Sequence, residues 1–277
     1  MTKLFNKVAI IGTGLIGGSI ALDIKRRKLA KKVIGVSRRK KSLLLAKRLG
    51  AIDYGSREID IIKGADLVIM AAPVSTILNL ANPISKSLTR DCLVTDVGST
   101  KKEIVAKLEK IFPYYVGSHP LAGSEKRGVV HACANIFKDS LCILTPTKNT
   151  NPKALSKIKK LWTQLGAKVK FLSPGEHDKI LSFVSHLPHI IAFSLISSIP
   201  SSYLSFASTG LKDTTRIAAS DSEIWRDIFF SNQKNVLKGI RLFQKNLVKI
   251  KSALRRNDKN LLTQILKKAK SKRETLG

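Results

Sequence analysis

The chain has 277 residues, 43% of them hydrophobic, which is enough for one large or two modest domains with a real core. Its 50 lysines and arginines against 19 acids give a formal charge of +31, but they are spread along the whole length and only 6% of residues are aromatic, which argues against a nucleic-acid or membrane-binding module and for a field that draws in small polyanions. Cys92, Cys133 and Cys142 lack Cys-x-x-Cys spacing, and residues 1–6 lead directly into an apolar run with no signal peptide, so the expectation is a cytoplasmic protein with reduced, buried, inert thiols.

The first predicted element organises the rest. Residues 7–22 read KVAIIGTGLIGGSIAL: a β-branched strand, Val8 to Ile11, then Gly12-Thr13-Gly14-Leu15-Ile16-Gly17, then a helix to about Lys28. This strand, glycine turn and helix form the dinucleotide fingerprint. Gly12 makes the tight turn, Gly14 admits a pyrophosphate to the backbone, and Gly17 lets the helix lie against the strand. Lys32 to Val36 is the second strand. An acid usually ends it in an NAD site, whereas here Ser37-Arg38-Arg39 follows, a hydroxyl and two guanidiniums that suit a 2′-phosphate and favour NADP over NAD; the alternative is two more surface cations.

Buried strands follow at Asp66–Ala71, ending in Ala72-Pro73, and at Cys92–Thr95, ending in Asp96-Val97-Gly98-Ser99. Their alternation with helices predicts a doubly wound parallel sheet, which places Pro73, Asp96 and Ser99 near the cofactor by topology. Thr100 with Glu103 reads as a capping box. The strand Tyr114–Gly117 delivers Ser118-His119-Pro120, and a histidine at a strand end in a Pro- and Gly-fixed loop is placed for proton transfer at neutral pH. Ser140–Thr145, a helix opened by Asn151-Pro152, and Lys168–Leu172 complete the sheet.

Ser173-Pro174-Gly175-Glu176 predicts an N-cap, a first-turn proline and a capping-box Glu, and no strand is expected beyond it. The organisation is therefore α/β: an N-terminal doubly wound parallel (Rossmann-like) sheet over residues 1–173 followed by an all-helical domain over residues 174–277. The apolar run Ile180–Ile199, broken by His186, Pro188, His189 and serines, reads as a buried core helix; its proline demands compensation from packing or function. Metal ligation by His186 and His189 lacks a third ligand at suitable spacing, so no metal is expected. Arg216, in a polar cluster with Lys212 and Asp213, suits a bidentate carboxylate contact; the bland alternative is a surface cation. Residues 234–272 form a basic amphipathic helical region for packing or subunit contact.

Taken jointly, GTGLIGGS, DVGS at Asp96, SHPLAGSE at His119, SHLPH ending at His189, and DTTRIA around Arg216 with Trp225 beyond resemble the prephenate dehydrogenase family, which includes arogenate dehydrogenase, over almost the whole chain. The resemblance implies a homodimer joined through its helical domain, with the active site between dinucleotide-binding and helical domains. The implied reaction is oxidative decarboxylation of prephenate to 4-hydroxyphenylpyruvate in tyrosine biosynthesis. Residue by residue, it implies that His119 takes the ring hydroxyl proton with support from Ser99. Arg216 binds a substrate carboxylate, Glu125 pairs across the cleft mouth, His189, Lys212 and Asp213 line the pocket, and Asp178 supports them.

Glu125 and His189 favour prephenate; an NADP-dependent arogenate dehydrogenase making tyrosine directly is the alternative. With no fused mutase or regulatory segment expected, feedback by tyrosine would act at the active site. Two rivals remain. A 3-hydroxyacid dehydrogenase would use a helical-domain lysine, which the GSE and SHLPH segments argue against; a basic nucleic-acid-binding protein on this scaffold would bind duplex DNA without reducing a nicotinamide.

Overall fold

The computed structural model describes residues 3–123 and 126–276. In chain order the sheet domain runs β1 (Phe5–Ile11), α1 (Leu15–Arg26), β2 (Ala30–Val36), α2 (Lys40–Arg48), β3 (Tyr54–Ser56), β4 (Leu67–Met70), α3 (Val74–Lys86), β5 (Leu93–Asp96) and α4 (Lys102–Ile111). It continues with β6 (Tyr115–Pro120), β7 (Leu141–Thr145), α5 (Pro152–Gln164) and β8 (Lys168–Phe171). The strands form one eight-stranded sheet in the order β3-β2-β1-β4-β5-β6-β7-β8, with β1 between β2 and β4 in parallel register, Val8 opposite Val33 and Leu67. Val8 and Ile10 point into one apolar layer and Ala9 and Ile11 into the other, so the strand is a near-continuous hydrophobic run because both faces of the sheet are covered.

One pairing departs from the expected parallel sheet: β7 runs antiparallel to β6, His119 opposite Ile143 and Pro120 opposite Cys142. Parallel strands need a crossover, commonly a helix, and among the described residues between β6 and β7 there is only a 3₁₀ turn, Val129–His131. The short β3 was not expected. The thiols also divide: Cys92 and Cys142 are buried, and burial pushes Cys92 up to about 12 and Cys142 higher still, but Cys133 is exposed, contrary to expectation.

From Pro174 onward the described elements are helical: α6 (Pro174–Leu181), a π turn at Ser182–His186, α7 (Leu187–Ser197), α8 (Thr209–Thr215), α9 (Ser222–Ser231), α10 (Gln233–Arg255) and α11 (Lys259–Glu274), with short 3₁₀ turns between. The predicted N-cap of α6 is present, Ser173 and Glu176 forming a reciprocal capping box with Pro174 in the first turn. The wider π turn lies just ahead of Pro188 and accommodates the missing N–H.

The buried-core reading of the apolar run is corrected. Pro174–Ser197 is long and apolar enough to cross a membrane, yet only 22% of its most apolar window is buried, and Ala192 is the one buried residue of α7. Chain contacts divide the molecule into two compact units, one ending at Asn232 and one beginning at Gln233; in the second, α10 packs on α11.

Candidate active site

The glycine turn has the geometry its sequence requires. Gly12 has φ +100, and a Cβ there would lie 2.2 Å from the Ala71 carbonyl oxygen; at Gly17 a Cβ would lie 2.0 Å from the Gly12 carbonyl oxygen, whereas at Gly14 it would meet nothing within 4 Å. Gly14 is the N-cap of α1 and supplies no side-chain cap, and the first turn carries no acid. The opening N–H groups thus form an anion seat on the positive end of the helix. Beside it the Thr13 hydroxyl is buried without a partner, an unmet polar group that a bound nucleotide would satisfy. Leu15 and Ile16 are half-buried at the start of α1, Ser37 is half-buried after β2, Arg38 and Arg39 are exposed, and Pro73 is the exposed N-cap of α3. The residues fit a dinucleotide.

His119, half-buried at the end of β6, is the terminus of a polar relay. Its Nδ1 lies 2.8 Å from His177 Nε2, and His177 Nδ1 lies 2.8 Å from Asp178 Oδ1. Asp178 also accepts from the backbone N–H of Lys101 at 2.7 Å and of Lys102 at 2.9 Å. Burial alone would raise the Asp178 carboxyl, but the bonds from His177 and the two N–H groups hold it below the usual range. An ionised Asp178 accepts a hydrogen bond from His177 Nδ1–H, so His177 Nε2 accepts from His119 Nδ1–H, and the free lone pair of His119 is on Nε2. Desolvation first, then His177, Lys101 and His186, keep the His119 imidazole well below 6.5.

Two expectations about this loop are corrected. Thr100 and Glu103 do not cap α4, which has no capping bond from its own N-cap residue; Asp178, from α6, takes the N–H groups at that end, and the Thr100 hydroxyl meets Ser231 at 2.9 Å. Asp96 was expected beside the cofactor, but it is fully buried. It accepts from Lys101 Nζ, from Tyr115 at 2.6 Å and from the Gly98 N–H at 2.7 Å, so its carboxylate is engaged within the protein.

The helical side supplies the rest. His189 stacks on Trp225 of α9, ring centroids 3.5 Å apart at 23°, and its Nδ1–H donates to the Ser185 carbonyl at 2.9 Å. Burial chiefly, then the nearby Arg216 cation, hold His189 below 6.5. His186 is pushed down to about 4, chiefly by burial and in part by His177 and His189; it in turn disfavours a protonated His119, as Arg216 does at His189. Asn232 donates to the Asp178 carbonyl at 2.7 Å and lies 3.3 Å from His186 Nδ1, while Ser75 ties α3 to Asp227 of α9 at 2.5 Å.

Arg216 is exposed at the end of α8, with Lys212 and Asp213 exposed on that helix. Ser99 is half-buried after β5, and the partner of His119 Nδ1 is His177 Nε2, not Ser99. Glu125 lies outside the described residues. Among the described residues no group of three or more His, Cys, Asp or Glu is placed to hold a metal ion. Sequence reasoning missed His177 and Lys101. The one available hint was an adjacent His-Asp pair in the second turn of a capped helix.

Comparison with known proteins bears on the fold and the family. Residues 20–171 match the model of the prephenate dehydrogenase nucleotide-binding domain and residues 173–268 that of its dimerization domain. The chain is 35% identical to the prephenate dehydrogenase of Bacillus subtilis, over 100% of this chain and 77% of the relative. Its structure is similar to that of Aquifex aeolicus prephenate dehydrogenase in complex with hydroxyphenyl propionate and NAD+, with a TM-score of 0.93, 38% identity and 98% of each chain covered. It is also similar to Synechocystis arogenate dehydrogenase, with a TM-score of 0.83, 26% identity, and 98% of this chain and 100% of that chain covered. The chain belongs to the prephenate dehydrogenase family.

Proposed function

We propose that this chain oxidises and decarboxylates prephenate to 4-hydroxyphenylpyruvate, with His119 as the base. The observation that carries the reading is the relay Asp178–His177–His119, which leaves a neutral imidazole with its lone pair on Nε2. A proton leaving the ring hydroxyl has that nitrogen to go to, and the imidazolium formed is stabilised through His177 by the buried Asp178 carboxylate. Arg216 holds a substrate carboxylate, and the His189–Trp225 stack walls the pocket, with Lys212 and Asp213 near its rim and Ser99 beside the reacting end. For Glu125 the family resemblance is the ground for assigning it as the acid that pairs with Arg216.

Gly12, Thr13, Gly14, Leu15, Ile16 and Gly17 would hold the diphosphate of a nicotinamide dinucleotide at the start of α1, with Pro73 on the far side of the turn. A nicotinamide held there would supply the acceptor for the hydride of the substrate's carbinol carbon. Position 37 to 39 carries Ser-Arg-Arg where an acid would favour NAD, and on that ground NADP is the preferred cofactor. The apolar residues left exposed around α7 support a homodimer joined through the helical region.

Prephenate and arogenate, each offered with NAD and with NADP and followed by nicotinamide absorbance, test the reading. Turnover with prephenate is expected to exceed that with arogenate, and NADP to exceed NAD. Preference for arogenate would move the substrate assignment, and preference for NAD the cofactor assignment.

A further inference from the structure

Among the described residues, Lys101 is the one fully buried cation in a chain with 50 lysines and arginines. Its ammonium donates to Asp96 Oδ2 and, at 2.6 Å, to the carbonyl of Ser118. Its backbone N–H donates to Asp178 Oδ1 at 2.7 Å, the same oxygen that accepts from His177 Nδ1–H. Ser118 precedes His119, so the ammonium fixes the peptide from which the imidazole springs, while the N–H fixes the acid at the far end of the relay that holds Nδ1.

We propose that Lys101 is the positioning residue of this site, one residue tying down both attachments of the His119 ring and keeping a fixed positive charge next to it. The inference rests on the reading of His119 as the base. Asp96 accepts three donors and offers none in return, the pattern of an ionised carboxylate that keeps its partner cationic. Burial draws Lys101 down from the usual lysine range, and Asp96 draws it back up. A site that moves a hydride and a proton is sensitive to misplacement on the scale of 1 Å, worth about 10²-fold in rate, and a single rigid buried side chain removes that freedom at both ends of the ring.

The charge has a separate consequence. The groups facing His119 are His177 on α6, His186 in the π turn, Cys142 on the adjoining strand and Lys101; Asp178 reaches it through His177, and Asp96 is spent on Lys101. Of these, Lys101 is the permanent cation, and it disfavours a protonated ring at both 119 and 177.

Removing the ammonium alone would strand Asp96, and breaking a buried pair costs far more than replacing both members. The test is therefore Lys101→Met combined with Asp96→Asn, with Lys101→Gln, which still donates to the Ser118 carbonyl, as a second variant. Folding is checked by thermal melting and by cofactor binding. In the double variant kcat is expected to fall about 30- to 100-fold, KM for substrate and cofactor to stay within about threefold, and the acid limb of the kcat–pH profile to move to higher pH. Lys101→Gln is expected to lose less kcat and show at least as large a shift. A folded variant with wild-type kcat and an unmoved acid limb overturns the proposal. So does failure of both variants to fold, which would make Lys101 a residue of the fold alone. His119→Asn run beside them separates the two readings: if it is inactive while the Lys101 variants are normal, the positioning role falls and the base stands; if it is fully active, the base assignment falls.

Discussion

His119 can take a proton only while neutral, and its surroundings keep it so. Desolvation and the neighbouring His177, Lys101 and His186 depress its protonation below 6.5, so the form that works predominates at neutral pH and is lost only as pH falls through that depressed value. The acid limb of kcat is therefore expected below pH 6.5, and a limb centred above it would contradict the relay. His119→Asn should lower kcat by roughly 10²- to 10⁴-fold, the span of general-base catalysis, with cofactor affinity intact by equilibrium titration. In its proposed role Arg216 acts differently: the side-chain carboxylate of prephenate keeps its charge while the ring carboxylate leaves as carbon dioxide, so a contact to the former is made equally in ground and transition states. Loss of a charged hydrogen bond costs about 1.5–3 kcal/mol, so Arg216→Ala should raise KM for substrate about 10- to 100-fold and change kcat little. An unaltered KM would mean that the carboxylate binds elsewhere.

At the scale of elements, the turn between β1 and α1 separates packing from ligand contact. A methyl at Gly17 collides with the Gly12 carbonyl oxygen, whereas one at Gly14 enters open space. Gly17→Ala is expected to lower both the Tm and cofactor affinity, Gly14→Ala to keep the Tm and weaken cofactor by about tenfold or more, since its methyl occupies the approach to the phosphates. Normal cofactor binding by Gly14→Ala would place the phosphates elsewhere. This turn was legible in the sequence because every part of its signal is local, and so was the Ser173–Glu176 capping box. The cap of α4 was not: its acceptor, Asp178, lies 77 residues from Lys101, and a pattern confined to Thr100 and Glu103 cannot weigh a competitor so distant. His177 meets His119 across 58 residues, and Lys101 is indistinguishable by type from the cations around it. The direction of β7 was hidden for the same reason, since strand polarity is set by what the connection can span and not by the strand's own residues.

Across the whole molecule, the sheet closes its own apolar layers, and among the described residues most of the large exposed hydrophobics lie beyond Pro174. Beyond α7, Tyr203 is 63% exposed and Phe206 86%, and Phe230 at the end of α9 is 69% exposed. Exposed aromatic side chains of this size suit burial against another protein, and in the proposed homodimer a second copy of the chain would cover them on both sides of a two-fold axis. Burying a phenylalanine stabilises by about 1.5–3 kcal/mol, counted twice in such an interface. Phe206→Asp should therefore weaken the dimer by roughly two to four orders of magnitude, read as a shift to monomer by sedimentation at micromolar protein, while Phe206→Leu stays dimeric. The charge of +31 sets two like fields against each other in that dimer, so added salt, by screening them, should tighten the wild-type association. Sedimentation of Phe206→Asp as wild type would take the interface away from these side chains, and an association that weakens with salt would show that ionic contacts hold it instead of apolar burial.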